Sequence, residues 1–203
     1  MILPAIILAG GKASRMGGAD KALCVLGGRP LLSHVITRLE PRCAPIAINA
    51  NGDAARFDAF GLPVLSDSVP NQPGPLAGIL AGMDWAASLG APAVISAAAD
   101  TPFFPLELAA RLQQNAGPSG LCLAASGDGA QVFLQPTFGL WPVALRDDLR
   151  HALEGGLRKV RVWASHHKAG TARFDATDVD PFFNINTPED LAKAERLLPS
   201  PGG

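Results

Sequence analysis

Through the first 115 residues, short apolar runs rich in β-branched side chains alternate with stretches of helical spacing. Residues 2–8, 45–49, 63–65 and 93–98 read as strands, the first interrupted only by Pro4. Residues 31–43, 53–60, 76–89 and 105–115 read as helices, and the strand-to-strand connections are too long for hairpins. This alternation predicts an α/β fold built on a mainly parallel sheet with helices on both faces. Ligands of such sheets bind beyond the carboxyl ends of the strands, near a switch in strand order. Downstream, residues 121–125 and 132–140 predict a hairpin about Gly127-Asp128-Gly129, and 143–153 a helix closed by Gly155-Gly156. Residues 157–167 fit either a helix or a strand, and 172–174 a last strand. Thr187 predicts the cap of a terminal helix, with Pro188 at its first position and Glu189-Asp190 in its first turn.

No repeat or linker divides the 203 residues, so residues 1–198 are expected to form a single domain, with 199–203 a frayed tail. Hydrophobic residues make up 48% and charged residues 17%, which excludes a disordered chain. A net charge of −1 argues against a general nucleic-acid or anionic-membrane surface, so any positive field must be local. The first apolar run lacks a basic leader and ends at Gly10, too soon for a signal peptide or membrane span, so the cytoplasm is expected. Cys24, Cys43 and Cys122 are odd in number and far apart, and support neither a zinc site nor a redox pair.

The first run leads into Leu8-Ala-Gly-Gly-Lys-Ala-Ser-Arg-Met-Gly-Gly-Ala-Asp-Lys21. Four glycines among positions 10–18 leave backbone N–H groups open to a ligand, and Lys12, Arg15 and Lys21 add positive charge. Such a loop after a strand suits the phosphates of a nucleoside triphosphate; as a Gly-rich segment it equally suits a solvated surface turn. Its spacing is neither that of a P-loop nor that of the dinucleotide fingerprint.

Asp67 and Asp100 each follow an expected strand, and Asn49 ends another, so parallel strands bring them to the edge that carries the loop. A carboxylate beside triphosphate calls for a divalent cation, and magnesium is commonly held by one or two carboxylates plus phosphate oxygens. The alternative for Asp100 is a cap of the following helix or an Asx-turn with Thr101. Trp85, Trp141 and Trp163 could stack on a planar ligand, although core packing is the commoner role. His166-His167 lack ligand spacing and read as a solvated turn, and His34 and His151 read as surface residues.

The pattern Leu8-Ala-Gly-Gly-x-x-Ser-Arg-Met-Gly-x-x-Asp-Lys21 closely resembles the signature loop of the molybdenum cofactor guanylyltransferases, within the wider nucleotidyltransferase family. Asp67-Ser68 with Pro73-Gly-Pro-Leu-Ala-Gly78, then Ala99-Asp100-Thr-Pro102, then Asn184-Ile-Asn186-Thr-Pro-Glu-Asp190, resemble its later motifs in the same order. The resemblance implies a single-domain, Rossmann-like, nucleotide-diphospho-sugar-transferase-like fold. It further implies transfer of GMP from GTP to the terminal phosphate of molybdopterin, with release of pyrophosphate. By the same resemblance Leu8, Ala9, Gly10, Gly11, Lys21, Asn49 and Asp67 would bind the guanine nucleotide, and Asp100 would bind both nucleotide and Mg2+. Arg15, Lys21 and Asp100 would carry catalysis, with Asn184 and Asn186 near the metal or the acceptor.

Related cytidylyltransferases resemble Leu-Ala-Ala-Gly where this chain has Leu8-Ala-Gly-Gly11, so the guanylyl form is the nearer match. One departure stands at Gln135, where the family often shows His before Pro136-Thr137. The implied partners are GTP and molybdopterin, with transient contact to cofactor-biosynthesis proteins and acceptor molybdoenzymes left open; neither nucleic acid nor membrane is implied. A cytidylyl homologue, a sugar-phosphate nucleotidyltransferase and a non-catalytic nucleotide-binding module remain as alternatives.

Overall fold

The computed structural model describes residues 1–10, 20–69, 74–127, 131–175 and 180–198. Gly11, Arg15 and the rest of the first loop through residue 19 lie outside the described residues, as do the 128–130 turn and the 199–203 tail.

Strand β1 (Leu3–Leu8) pairs in parallel with β4 (Cys43–Asn49) on one side and β6 (Ala93–Ala98) on the other. Between them in sequence come the ribbon strands β2 (Val25–Leu26) and β3 (Arg29–Pro30) and helix α1 (Leu31–Leu39). The two-residue β5 (Val64–Leu65) adds to β4, and helix α2 (Pro75–Ser88) then crosses the sheet to β6. After α3 (Leu108–Gln114), β7 (Cys122–Gly127) and β8 (Phe133–Pro142) form an antiparallel pair. Helices α4 (Arg146–Glu154) and α5 (Val160–His166), strand β9 (Gly170–Asp175) and α6 (Pro188–Leu197) complete the chain. The sheet order is β5-β4-β1-β6-β8-β7-β9. Only β8 runs against its neighbours, so its first residues lie at the edge where the other strands end. Order reverses at β1, between β4 and β6, the kind of switch at which a crevice opens.

Each face of the sheet buries one apolar layer. Leu32, Val35 and Leu39 of α1 and Leu108, Ala109 and Leu112 of α3 cover one side, where Phe104, Phe138, Phe174 and Phe182 also meet. The other face is covered by α2, α4 and α5. Helix α2 approaches closely because it turns glycines to the sheet: a Cβ on Gly82 would stand 2.7 Å from Ile6 Cγ2. A third, small cluster joins Leu26 and Leu31 to Ile185 and Ala194, fastening α6 to the β2–β3 ribbon. The Gly27 N–H donates to Glu195 Oε1 at 2.9 Å across that seam.

Several local expectations shift. Helix α3 starts at Leu108, not Pro105, so Asp100 does not cap it; Glu107 stands at that position without a side-chain cap bond. The ambiguous 157–167 stretch contains helix α5, since Val160, Trp163 and Ala164 form one buried face. Trp141 and Trp163 are core residues stacked on each other with centroids 6.1 Å apart. Their indole N–H groups are satisfied by Ser96 Oγ and Asp148 Oδ1. His167 is no free solvated side chain, because its Nε2 lies 2.7 Å from Asp148 Oδ1. The three cysteines are free thiols; burial pushes Cys43 up to about 12 and Cys122 up to about 11, which leaves both unreactive at neutral pH. Among the described residues, no helix is long and apolar enough to cross a membrane.

Candidate active site

The carboxyl ends of β1, β4, β5 and β6 border a cleft of about 480 Å³. Leu8, Gly10, Asn49, Asn51, Asp67, Gly74, Pro75, Ala98, Asp100, Thr137 and Asn184 line it. Strand ends therefore bring residues from distant parts of the sequence into one crevice, as the alternating pattern requires. Among the described residues, a Cβ on Gly10 would meet no atom within 4 Å. Ala9, between Leu8 and Gly10, is buried, and its N–H donates to the Asn49 carbonyl at 2.9 Å. That amide continues the sheet and is not open to a ligand.

On one side of the cleft, Asn49 and Asn51 hold Asp67. Asn49 Nδ2 donates to Asp67 Oδ1 at 3.0 Å and to the Leu65 carbonyl at 3.1 Å. Asn51 Nδ2 donates to Asp67 Oδ2 at 2.7 Å and its Oδ1 accepts from the Asp67 N–H at 3.0 Å. Both Asp67 oxygens are thus fixed by side-chain amides. The next residue, Ser68, donates its hydroxyl to Asp84 Oδ2 at 2.5 Å, and Arg150 Nη2 reaches both Asp84 oxygens at 2.7 and 2.8 Å. Helices α2 and α4 thereby hold the Asp67 loop through a charged link. Replacing Asp84 by Asn would remove the charge that pairs with Arg150 and leave a single acceptor oxygen where two now serve Arg150 and Ser68. The Asp84→Asn variant is expected to raise KM for nucleotide about fivefold, equivalent to about 1 kcal/mol, with kcat little changed in steady-state assays.

On the other side stands Lys21. It opens a 3₁₀ turn (Lys21–Leu23) capped by Asp20, whose Oδ1 accepts from the Ala22 N–H. Arg56 Nε holds the other Asp20 oxygen at 2.6 Å while its Nη2 donates to the Asn51 carbonyl. From this base the Lys21 Nζ reaches Asp100 Oδ2 at 2.5 Å, Asn186 Oδ1 at 2.5 Å and Asn184 Oδ1 at 3.1 Å. Asp100 Oδ1 accepts from the Thr101 hydroxyl at 3.2 Å. Arg38 of α1 steadies the segment beyond by donating to the Pro102 and Phe104 carbonyls.

The two asparagines face Lys21 because Ile185 between them is buried and donates its N–H to the Asp100 carbonyl at 2.9 Å. In extended chain, burying the middle residue turns both neighbours to the opposite side. A capping box anchors the segment: Asp190 accepts from the Asn186 and Thr187 N–H groups, and Thr187 from the Asp190 N–H. The Asn186 N–H, foremost, then the Thr187 hydroxyl and N–H and the Lys21 charge hold the Asp190 carboxyl below its ordinary range, against burial. Its stabilising contribution is complete above the ordinary Asp range and is lost as pH falls through the lowered value.

Sequence patterns thus brought Lys21, Asp100, Asn184, Asn186, Asn49, Asp67, Leu8 and Gly10 to one edge, while Gly11 and Arg15 lie outside the described residues. Gln135 sits at the same end of the sheet on β8 and donates to Ser126 Oγ at 3.0 Å. Arg56, Asn51, Asp84 and Arg38 were missed, and Ser68 was noted only as a motif residue. Among the described residues no three His, Cys, Asp or Glu side chains converge in a metal cage. The Asp100 carboxylate and two amide oxygens around one ammonium are nevertheless hard donors of the kind magnesium takes, with phosphate completing the set.

Comparison with known proteins agrees with this fold. The model of the MobA-like NTP transferase domain matches residues 5–169. A molybdenum cofactor guanylyltransferase of Bradyrhizobium sp. (strain ORS 278) is 54% identical over 200 residues, covering 96% of this chain and 92% of the relative. One from Cereibacter sphaeroides is 50% identical over 198 residues, covering 98% of each. The crystal structure of molybdopterin-guanine dinucleotide biosynthesis protein A from Archaeoglobus fulgidus superposes with a TM-score of 0.68 at 22% identity, covering 96% of this chain and 97% of that one. The 4-diphosphocytidyl-2C-methyl-D-erythritol synthase of Anaerococcus prevotii shares the fold at 13% identity, with a TM-score of 0.73 over 97% and 95% of the two chains. With the family model matching residues 5–169 and relatives about half identical over nearly the whole chain, the chain belongs to the MobA-like NTP transferase family.

Proposed function

We propose that this protein transfers GMP from GTP to the terminal phosphate of molybdopterin, releasing pyrophosphate and leaving the guanine dinucleotide form of the molybdenum cofactor. The observation that carries this reading is the convergence of Lys21, Asp100, Asn184 and Asn186 beside a cleft at the strand ends, in a chain about half identical to curated guanylyltransferases. In the reaction a terminal phosphate oxygen of molybdopterin forms a bond to the α-phosphorus. The bond from that phosphorus to the bridging oxygen breaks, and its electron pair leaves with pyrophosphate. The attacking phosphate monoester is already largely ionised, so no strong general base is required; positioning and charge neutralisation carry the step.

Asn49, Asn51, Asp67 and Pro75 shape the nucleotide end of the cleft, with Gly10 in its lining. Lys21 and Arg15 neutralise the transferring phosphates. Asp100, with Asn184 and Asn186, would hold Mg2+, which when bound would supply positive charge to offset the charge building on the leaving pyrophosphate. Thr137, which lines the cleft, and Gln135, two residues before it on the same strand, are the candidates for contact with the acceptor. The enzyme works in the cytoplasm on these small molecules, and hands its product to an acceptor molybdoenzyme through transient contact.

Incubation of the protein with molybdopterin, magnesium and either GTP or CTP tests the assignment through pyrophosphate release. Release with GTP, its loss on chelation and little release with CTP are expected. Preference for CTP, or turnover with a sugar phosphate in place of the pterin, would overturn it.

A further inference from the structure

The ammonium of Lys21 has three N–H donors and no acceptor, and it stands among three oxygens at 2.5, 2.5 and 3.1 Å. Because Lys can only donate, both asparagines must present their carbonyl oxygens to it. The surroundings thus consist of a carboxylate and two amide oxygens, a donor set as suited to a hard cation as to an ammonium. Lys21 and Asp100 retain only 12% and 21% of their side-chain exposure. We propose that Lys21 occupies the divalent-cation position in the nucleotide-free enzyme and vacates it when triphosphate arrives, which makes cation binding conditional on nucleotide. This rests on the proposed nucleotidyl transfer and adds to it an order of assembly.

The scaffold determines which partner can move. Asp100 is fixed through its carbonyl by the Ile185 N–H, and Asn186 through its own N–H by Asp190. The Lys21 backbone is held in a turn capped by Asp20, which Arg56 grips. With backbones anchored, the long four-carbon side chain of Lys21 has more rotatable bonds than the short Asp100 and Asn186 side chains and the greatest reach to swing. The three oxygens carry one net negative charge, which the ammonium balances. A divalent cation entering beside it would meet like charge at contact distance, so the two exclude each other. The triphosphate reverses the preference, since it offers the ammonium several anionic oxygens outside the trio and adds ligands for the metal. Nucleotide and cation then favour each other's binding through one side chain, and this coupling is reciprocal.

Manganese alone is the probe, titrated against the full-length chain with free Mn2+ followed by electron paramagnetic resonance. Without nucleotide, Lys21→Met is expected to bind Mn2+ about tenfold or more tightly than wild type, within the span of ordinary coupling factors. Lys21→Gln, which keeps a hydrogen-bond donor but no charge, should show an intermediate gain and guards against a folding defect in the first variant. Adding Asn186→Ala to Lys21→Met should remove much of the gain. With α,β-methylene-GTP present the order should invert, wild type holding Mn2+ and analogue more tightly than Lys21→Met. Equal or weaker Mn2+ binding by both Lys21 variants without nucleotide would overturn the exchange. If the wild type still binds Mn2+ with the analogue in an Asp100-dependent way, that failure is confined to the exchange. Failure of the wild type to bind them together would defeat the nucleotide site itself, and the exchange with it.

Discussion

Asp100→Asn is expected to lower magnesium-dependent pyrophosphate release by about 10²- to 10³-fold, the loss typical when a group that stabilises transition-state charge is removed. The substitution keeps the shape of the side chain and leaves the Asp100 carbonyl bonded to the Ile185 N–H, so β6 and the 184–186 segment should stay in place. It removes the one carboxylate of the Lys21 oxygen set, and with it the charge a divalent cation requires. Steady-state assays over a range of magnesium concentrations, with thermal unfolding alongside, check both halves of this expectation. A large fall in turnover with an unchanged Tm would support a role in chemistry. Wild-type turnover would exclude Asp100 as the metal ligand and return it to the turn role that its contact with the Thr101 hydroxyl also permits.

Gly78→Ala should show a different signature, a rise in KM for GTP together with a loss of stability. An added Cβ would overlap the Asn49 amide oxygen, stand 2.7 Å from Asn49 Cγ and 3.0 Å from Leu8 Cδ2. Asn49 is 4% exposed and cannot move without releasing Asp67 Oδ1 and the Leu65 carbonyl. Overpacking of this kind costs about 1–3 kcal/mol, and for a domain of this size each kcal/mol lowers Tm by roughly 2–4 °C. Gly82→Ala, one helical turn along, is the control. Its Cβ would crowd the Ile6 side chain at 2.7 Å and should cost similar stability, with KM unchanged because Gly82 does not line the cleft. A tenfold or greater KM rise for Gly78→Ala alone, equivalent to about 1.4 kcal/mol of binding, would locate Asn49 and Asp67 at the nucleotide. Equal KM values for the two variants would remove them from it.

The two glycines also show where sequence reading stops. Apolar spacing identified α2 almost to the residue, through Leu76, Ile79, Leu80 and Met83. It did not reveal that the closest approach to β1 is made where side chains are absent, because a hydrophobic pattern counts what is present. Strands were legible because β-branched runs such as Ala93–Ala98 are buried on both faces. The start of α3 was misplaced because Pro105 suits a first helical turn, yet it accepts only a turn bond from Leu108 before the helix begins.

Within the site, residues borne on spaced motifs, such as Lys21, Asp100 and Asn186, were legible. Their supports were not. Arg56 and Asp20, Asp84 and Arg150, and Arg38 with the Pro102 carbonyl pair across distant elements with no local spacing rule to announce them.

The small apolar seam joining Leu26 and Leu31 to Ile185 and Ala194 bears on biosynthesis. A ribosome delivers the chain from its amino end, and the sheet already has its last strand once Asp175 has emerged. Asn184 and Asn186, and the α6 clasp that sets them against Lys21, come only afterwards. A chain extended only to Asp175 thus carries Asp100 but lacks two of the three oxygens around that lysine. The oxygen set around Lys21 is completed by the segment that follows the last strand of the sheet.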